Sequence, residues 1–394
     1  MKEILAIAAG AVSFAVEAMY IPLVFEFPIV GSFPIMSSTD VYLHGVYRQE
    51  EAKPPQEPEE ASENTLCLRT FVEIDGKIRP IKKLVDYRCP DCAPMVFSKV
   101  RIPANVEVIG WHYFENCWNL EEVIFEFGSK LRTIDCKAFC GSGLQSIFIP
   151  KSLKFLEEGC FANCTHLRMV TFETDSRLQR IMLDAFSGSD LCSIRIPANT
   201  EILDENCFSN CKSLTKITFE PGSKLKRIMS EAFSGADLRS IRIPAGTEIL
   251  DCCCFQFCRN LKKITFEADS RLQKITSLAF FMSGLRLIRI PSRIRVLELK
   301  CFAECDSLNK IIFEDDSRLT KIESEAFLKS GLYSVSIPAN TETIACNCFA
   351  CCQKLEKITF EADSRLRIIE DRAFLWSNLK SVHIPANAEV IGDE

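Results

Sequence analysis

Cysteine is unusually abundant in this chain, and its spacing says what it is for. There are 21 cysteines in 394 residues, against four histidines. Cys117, Cys164, Cys211, Cys258, Cys305 and Cys352 recur every 47 residues, as do Cys160, Cys207, Cys254, Cys301 and Cys348. Where one half of the period reads Cys-Phe-x-x-Cys, the other reads Ala-Phe-x-x-Ser: Ala185-Phe186 with Ser189, Ala326-Phe327 with Ser330. A slot that accepts Cys, Ala and Ser is a small-residue slot, and free cysteine behaves there as a compact hydrophobe. Buried thiols are therefore favoured over bridges or metal ligands.

Cys89-Pro-Asp-Cys92 is the one C-x-x-C outside the repeats, and Cys348 and Cys351 share the spacing inside them. A redox role needs a thioredoxin-like βαβ context, which is missing. A zinc site needs a second ligand pair, and only scattered residues such as Cys67 and His112 offer themselves. A local bridge there requires a secreted protein. The four histidines (His44, His112, His166, His383) occupy unrelated positions, and no phosphate loop, zinc-protease helix or nucleophile elbow occurs. No catalysis and no cofactor are expected. Asn163-Cys-Thr165 is the only glycosylation sequon, with chance as the default explanation.

The elements that position these residues follow from the period. Ile-Pro pairs fall at 102–103, 149–150, 196–197, 243–244, 290–291, 337–338 and 384–385, each 47 residues after the last. The unit is two halves of 23 and 24 residues sharing Leu-x-x-Ile-x-Ile/Phe, two aliphatics, then Phe. That length is one solenoid coil, a strand plus a return. Thirteen strand positions and twelve Phe landmarks, Phe114 to Phe374, can be counted. Phe125, Phe172, Phe219, Phe266, Phe313 and Phe360 close the second-half strands and are also expected in the core. The expectation is an α/β repeat solenoid, right-handed. One face is a long parallel β-sheet, and the other carries short helical or irregular returns.

In Leu191-Cys-Ser-Ile-Arg-Ile196, alternation turns Ile194 and Ile196 inward and Arg195 outward. Pro197 then ends pairing, because it has no N–H to donate to a ladder. Polar corners follow at Gly128-Ser129, Asp175-Ser176, Gly222-Ser223 and Asp269-Ser270.

The outward positions carry Arg101, Arg195, Arg242 and Arg289, flanked by Lys216, Arg239, Lys262, Lys263 and Arg286. They form a basic band within a protein of net charge −6. On a concave sheet such a band fits an acidic or sulfated protein or glycan ligand gripped by Arg195, Arg242 and Arg289. The competing reading pairs these arginines with the glutamates after neighbouring strands: Glu173, Glu220, Glu267 and Glu314. The acidic balance argues against a general nucleic-acid partner.

Four segments are expected: an apolar leader (1–48), an acidic Pro-rich linker (49–64), an N-terminal cap (65–96) and a solenoid of about twelve coils (97–394). The uncharged run from Ile4 to Val16 is too short to span a bilayer, so no integral membrane span is expected. Val16-Glu17-Ala18 resembles a signal-peptidase site. Glu3 cancels the one Lys before the apolar run, and the chain stays apolar past that site, which fits a leader that packs elsewhere. The linker's charge and proline leave it too little apolar surface to order. The cap contains Asp75-Gly76, a favoured hairpin turn pair. The next Phe would fall at 396, so the last coil is cut short. Either the chain is a fragment, or a partner or further repeats cover its open end.

Leu238-Arg-Ser-Ile-Arg-Ile-Pro244 and Cys207-Phe-Ser-Asn-Cys211 resemble the repeat of the BspA-like leucine-rich-repeat family, over roughly residues 97–394. The resemblance implies a non-catalytic surface or secreted protein of adhesion type that binds host or cell-surface partners. An intracellular interaction scaffold is the alternative, favoured by unbridged cysteines.

Overall fold

A computed structural model of the chain describes residues 42–43, 65–67, 71–74, 77–80, 82–84 and 98–393, all within the unit Val41–Glu394. The leader, Cys89, Cys92 and, apart from 42–43, everything before residue 65 lie outside the described residues. Two parallel sheets run side by side through the solenoid. One has 13 strands, of four residues from Lys99–Ile102 onward; the other has 15 strands of two residues each. Each coil between the two ends contributes one strand to each, so Ser193–Ile196 and Ile202–Leu203 belong to one coil, Lys216–Phe219 and Arg227–Ile228 to the next.

The long strands form where the sequence alternates. Ile194, Ile196, Ile241 and Ile243 point into the core while Arg195 and Arg242 stay in solvent. Each first-half strand ends at its Ile-Pro junction, as at Ser193–Ile196. The serine at each second-half corner folds back so that its Oγ accepts the N–H two residues on, as Ser176 does from Leu178 at 3.3 Å. Twelve phenylalanines, Phe114 to Phe374, form one column in which each ring stacks on the next. Their centroids lie 5.1–5.7 Å apart at 2–13° between planes. Phe114 through Phe349 are fully buried in it. The six strand-closing phenylalanines are a correction: Phe125, Phe172, Phe219, Phe266, Phe313 and Phe360 are only partly buried at the margin of the core.

The helical returns are the larger correction. Among the described residues there is no helix, so the fold is a β-solenoid rather than α/β. The reason lies in the backbone around each core phenylalanine. The residues two before and two after it have positive φ in every coil: Lys137 and Gly141 around Phe139, Asn206 and Asn210 around Phe208, Leu278 and Met282 around Phe280. A left-handed residue at each of these points breaks the run of right-handed dihedrals a helix needs. The amide groups are shared out accordingly. Lys137, Phe139 and Gly141 donate to Glu158, Cys160 and Ala162 of the next coil at 2.8–2.9 Å. Ala138, Cys140 and Ser142 donate three residues back within their own coil. Every second N–H thus builds a third ladder between coils, and the left-handed strain is offset by fully paired backbone.

The thirteen-strand sheet is not composed of the thirteen anticipated strands. It gains Thr65–Cys67, which pairs parallel with Lys99–Ile102. It lacks residues 381–384, which take no strand conformation although Val382 and Ile384 still pack partly buried. Phe71–Ile74 and Lys77–Pro80 pair antiparallel, the hairpin that Asp75-Gly76 suggests. Tyr42–Leu43 adds a first strand to the short-strand sheet beside Lys83–Leu84.

Candidate ligand-binding face

The outer surface of the long-strand sheet is built from the first and third residues of each strand. Register places Lys216 beside Ser193 and Thr218 beside Arg195; Lys263 beside Ser240 and Thr265 beside Arg242; Lys310 beside Leu287 and Ile312 beside Arg289. Arginine and lysine therefore alternate from strand to strand in two adjacent rows, one cation per strand. At a strand separation of about 4.8 Å, like cations recur about every 10 Å. The residue before each strand adds a third row, in which Arg239, Lys262 and Arg286 are exposed.

Electrostatics divides this band in two. Arg195 reaches Glu220 at 3.5 Å and Arg242 reaches Glu267 at 3.3 Å. Those glutamates also belong to the scaffold. Oε2 of Glu220 and Glu267 accepts the backbone N–H of Ala198 and Ala245, each at 3.1 Å, in the loop after the Ile-Pro corner of the previous coil. Glu126, Glu173, Glu314 and Glu361 do the same for Ala104, Lys151, Ser292 and Ala339. This capping column was not anticipated. Its signal was available, since a Glu recurs at the end of every second-half strand one coil after an Ile-Pro pair.

Two of the three arginines expected to grip a ligand are thus already paired, in exposed pairs worth about 1 kcal/mol or less. Arg289 has no such pair, and Glu314 in the matching place caps Ser292 only. Lys216, Arg239, Lys262, Lys263 and Arg286 also form no ion pair within 4 Å among the described residues. The uncompensated charge therefore sits at the leading edge of the strands, around residues 216–289. A cleft of about 240 Å³ opens there between Asp237, Arg239, Asn260 and Lys262. The Asn260 amide donates to the Asp237 carboxylate, holding that acid against its own coil. A larger cleft of about 750 Å³ lies at the far end, where the segment carrying His383 and Asn387 leaves the sheet beside Thr359 and Arg365.

The cysteines of the two repeating sets face inward, whereas Cys192 is exposed and Cys136, Cys140, Cys252, Cys346 and Cys351 are half-buried. All eleven members of the two repeating sets are buried and free. The second-position set does more than fill space: Cys164 Sγ donates to Phe139 O at 3.0 Å and lies 3.5 Å from Ser142 Oγ. Cys211, Cys258, Cys305 and Cys352 repeat the bond to the phenylalanine carbonyl of the previous coil at 3.0–3.1 Å. Burial pushes Cys164, Cys211, Cys258 and Cys305 up to about 12, so they are neutral S–H donors. Among the described residues no three His, Cys, Asp or Glu side chains gather as metal ligands. No helix among them is long and apolar enough to cross a membrane.

No curated protein matches the sequence. Solved structures do resemble it. A leucine-rich repeat protein from Bacteroides ovatus is 20% identical over 86% of this chain and 94% of its own, with a TM-score of 0.54. The pneumococcal vaccine antigen PcpA is 18% identical over 84% and 85%, with a TM-score of 0.45. A leucine-rich cell surface protein from Faecalibacterium prausnitzii is 24% identical over 77% and 89%, with a TM-score of 0.37. At these identities the likeness to the first speaks for fold alone, and the other two scores carry no argument. The sequence matches the model of the BspA type leucine rich repeat region (6 copies) over residues 93–215, 179–309 and 273–394. With both sheets and the phenylalanine column on the same period, the chain belongs to the BspA-type leucine-rich-repeat family.

Proposed function

We propose that the protein is a non-catalytic binding protein of adhesion type whose long-strand sheet holds an extended acidic ligand, protein or glycan. The supporting observation is the set Lys216, Arg239, Lys262, Lys263, Arg286 and Arg289. These are exposed cations on consecutive coils, without carboxylate partners among the described residues, in a protein whose net charge is −6. A linear polyanion laid along the sheet would meet a cation about every 5 Å, and each contact would weaken with salt. The centre of this face lies at Lys262, Lys263 and Arg286, with Arg195 and Arg242 engaged only if their glutamates yield.

The test is heparin binding by isothermal titration at several salt concentrations. Lys262→Glu with Lys263→Glu and Arg286→Glu is expected to weaken binding at least about tenfold and to flatten its salt dependence. Equal affinity in this variant rejects the reading. The free thiols favour a second setting for the same face, inside a reducing compartment. Labelling intact cells with an impermeant amine reagent separates the two: labelled protein supports the surface role, and labelling only after lysis supports the intracellular one.

A further inference from the structure

A different face carries a second site. Between the two strands of each coil the chain turns a corner, and that corner repeats with the fold. One position in it is Glu107, Glu201, Glu248, Glu342 and Glu389 in five of seven copies. In three of them the carboxylate meets a cation of an adjoining coil: Arg132 at 3.4 Å, Lys226 at 2.6 Å and Arg367 at 2.8 Å. Another position is always cationic: Lys130, Arg177, Lys224, Arg271, Arg318 and Arg365. The acidic position therefore supplies negative charge along a row of positive charge.

One copy breaks the rule and leaves room. Lys154 stands where the glutamate belongs, and Ser152 stands where Asn199, Asn340 and Asn387 stand in other coils. Those asparagines bond through Nδ2 to a serine carbonyl one coil back. Ser152 makes the equivalent bonds with a shorter side chain, to Ser129 O at 3.2 Å and Leu131 O at 2.6 Å. The result is a cleft of about 470 Å³ lined by Ser129, Lys130, Arg132, Ser152, Lys154 and Arg177, with no carboxylate among the described residues of its wall. Of its four cations only Arg132 has an ion-pair partner among the described residues, Glu107 on the side away from Lys154. The other copy without glutamate has Arg295, but there the neighbouring place is taken by the long side chain of Arg293.

The geometry points to an oxyanion site in this cleft, for a sulfate or phosphate ester carried on a group of about sugar size. The anionic ester replaces the carboxylate that sibling coils place there, and the volume falls within the range of small-ligand pockets. Lys130, Lys154 and Arg177 supply charge-assisted donors, and the Arg177 guanidinium can take two oxygens of the ester at once. This site lies at the corner between the sheets and does not depend on the sheet-face reading above.

Glucosamine 6-sulfate, glucosamine 6-phosphate and inorganic phosphate, each titrated into the full chain, provide the test. Lys154→Glu is the decisive variant, because glutamate is what most sibling coils carry and the fold accommodates it. The account predicts binding of one or both sugar esters and at least about tenfold weaker binding in Lys154→Glu. It also predicts that the Lys262→Glu, Lys263→Glu, Arg286→Glu variant still binds the esters, and that Lys154→Glu still binds heparin. Preference between the two esters names the source chemistry. Lys154→Glu binding as tightly as the parent chain, or no ester binding to the parent, overturns the assignment. Inorganic phosphate binding as tightly as both esters removes the sugar from it.

Discussion

The buried thiols make the fold sensitive to alkali, by an amount that can be worked out. Cys164, Cys211, Cys258 and Cys305 are held up to about 12 in the folded chain by burial, against an ordinary value near 9. Their protonated form is favoured on folding, so the stability they carry is complete below pH 9 and is lost as pH rises from 9 toward 12. At pH 10 an unfolded thiol is mostly ionised while its folded counterpart is not, a difference of about 1.4 kcal/mol for each. Four such groups give on the order of 5 kcal/mol, comparable with the whole stability of many domains. The assay is urea unfolding at pH 8, 9 and 10 in a thiol-free phosphine reductant. Lysine and tyrosine titrate in the same range, so the slope with pH must be compared between the parent chain and Cys211→Ala with Cys258→Ala. The double variant is expected to be less stable at pH 8, yet to lose about half as much from these thiols between pH 8 and 10. Identical slopes in the two proteins would refute the placement of these cysteines as buried, protonated hydrogen-bond donors.

Other perturbations test other parts of the structure. Phe233→Ala removes a fully buried ring stacked on Phe208 at 5.4 Å and Phe255 at 5.2 Å, and should cost about 3–5 kcal/mol in urea unfolding. Phe374→Ala, partly buried and stacked among the described residues on Phe349 alone, should cost about half that; equal losses would contradict a column with a distinct end. Gly331→Ala would put Cβ 2.1 Å from Asp306 O, yet sibling coils carry Asp190 and Asp237 in that place. There the backbone N–H···O bond to the previous coil is 3.3–3.4 Å, against 3.0 Å at Gly331. A slightly lengthened bond and a loss of about 1–2 kcal/mol by thermal unfolding are therefore expected, not collapse. Glu267→Gln keeps an acceptor for the Ala245 N–H but frees Arg242. Stability should change by less than about 1 kcal/mol while heparin affinity rises, and a fall in affinity would count against the sheet face.

The solenoid was legible because its cause is periodic. A strand that buries every second residue and stops at proline prints Leu-x-x-Ile/Val-x-Ile-Pro in six of seven copies, and Arg195 and Arg242 stand outward as alternation requires. The returns were not, because the left-handed positions carry mixed residues. Gly159, Gly188, Asn206 and Asn210 advertise them, but Leu278, Met282, Phe257 and Trp376 adopt the same φ with no preference for it. Coil stacking imposes that conformation through the inter-coil ladder. The signal lay in the column rather than in any one coil. The pairing of Arg195 with Glu220 and Arg242 with Glu267 was one of two readings open from sequence, since it depends on side-chain reach across strands. The basic corner at Lys154 is written in no single repeat, because its cations come from three successive coils.

The proposed function places the ligand across the leading edge of the long-strand sheet. Lysine-acetylation footprinting, with and without saturating heparin, addresses it directly. Lys216, Lys262 and Lys263 should be protected, while Lys274 on the short-strand sheet and Lys226, paired with Glu201, should keep their reactivity. Protection of Lys274 and Lys226 with Lys262 and Lys263 unchanged would place the ligand elsewhere and contradict the account.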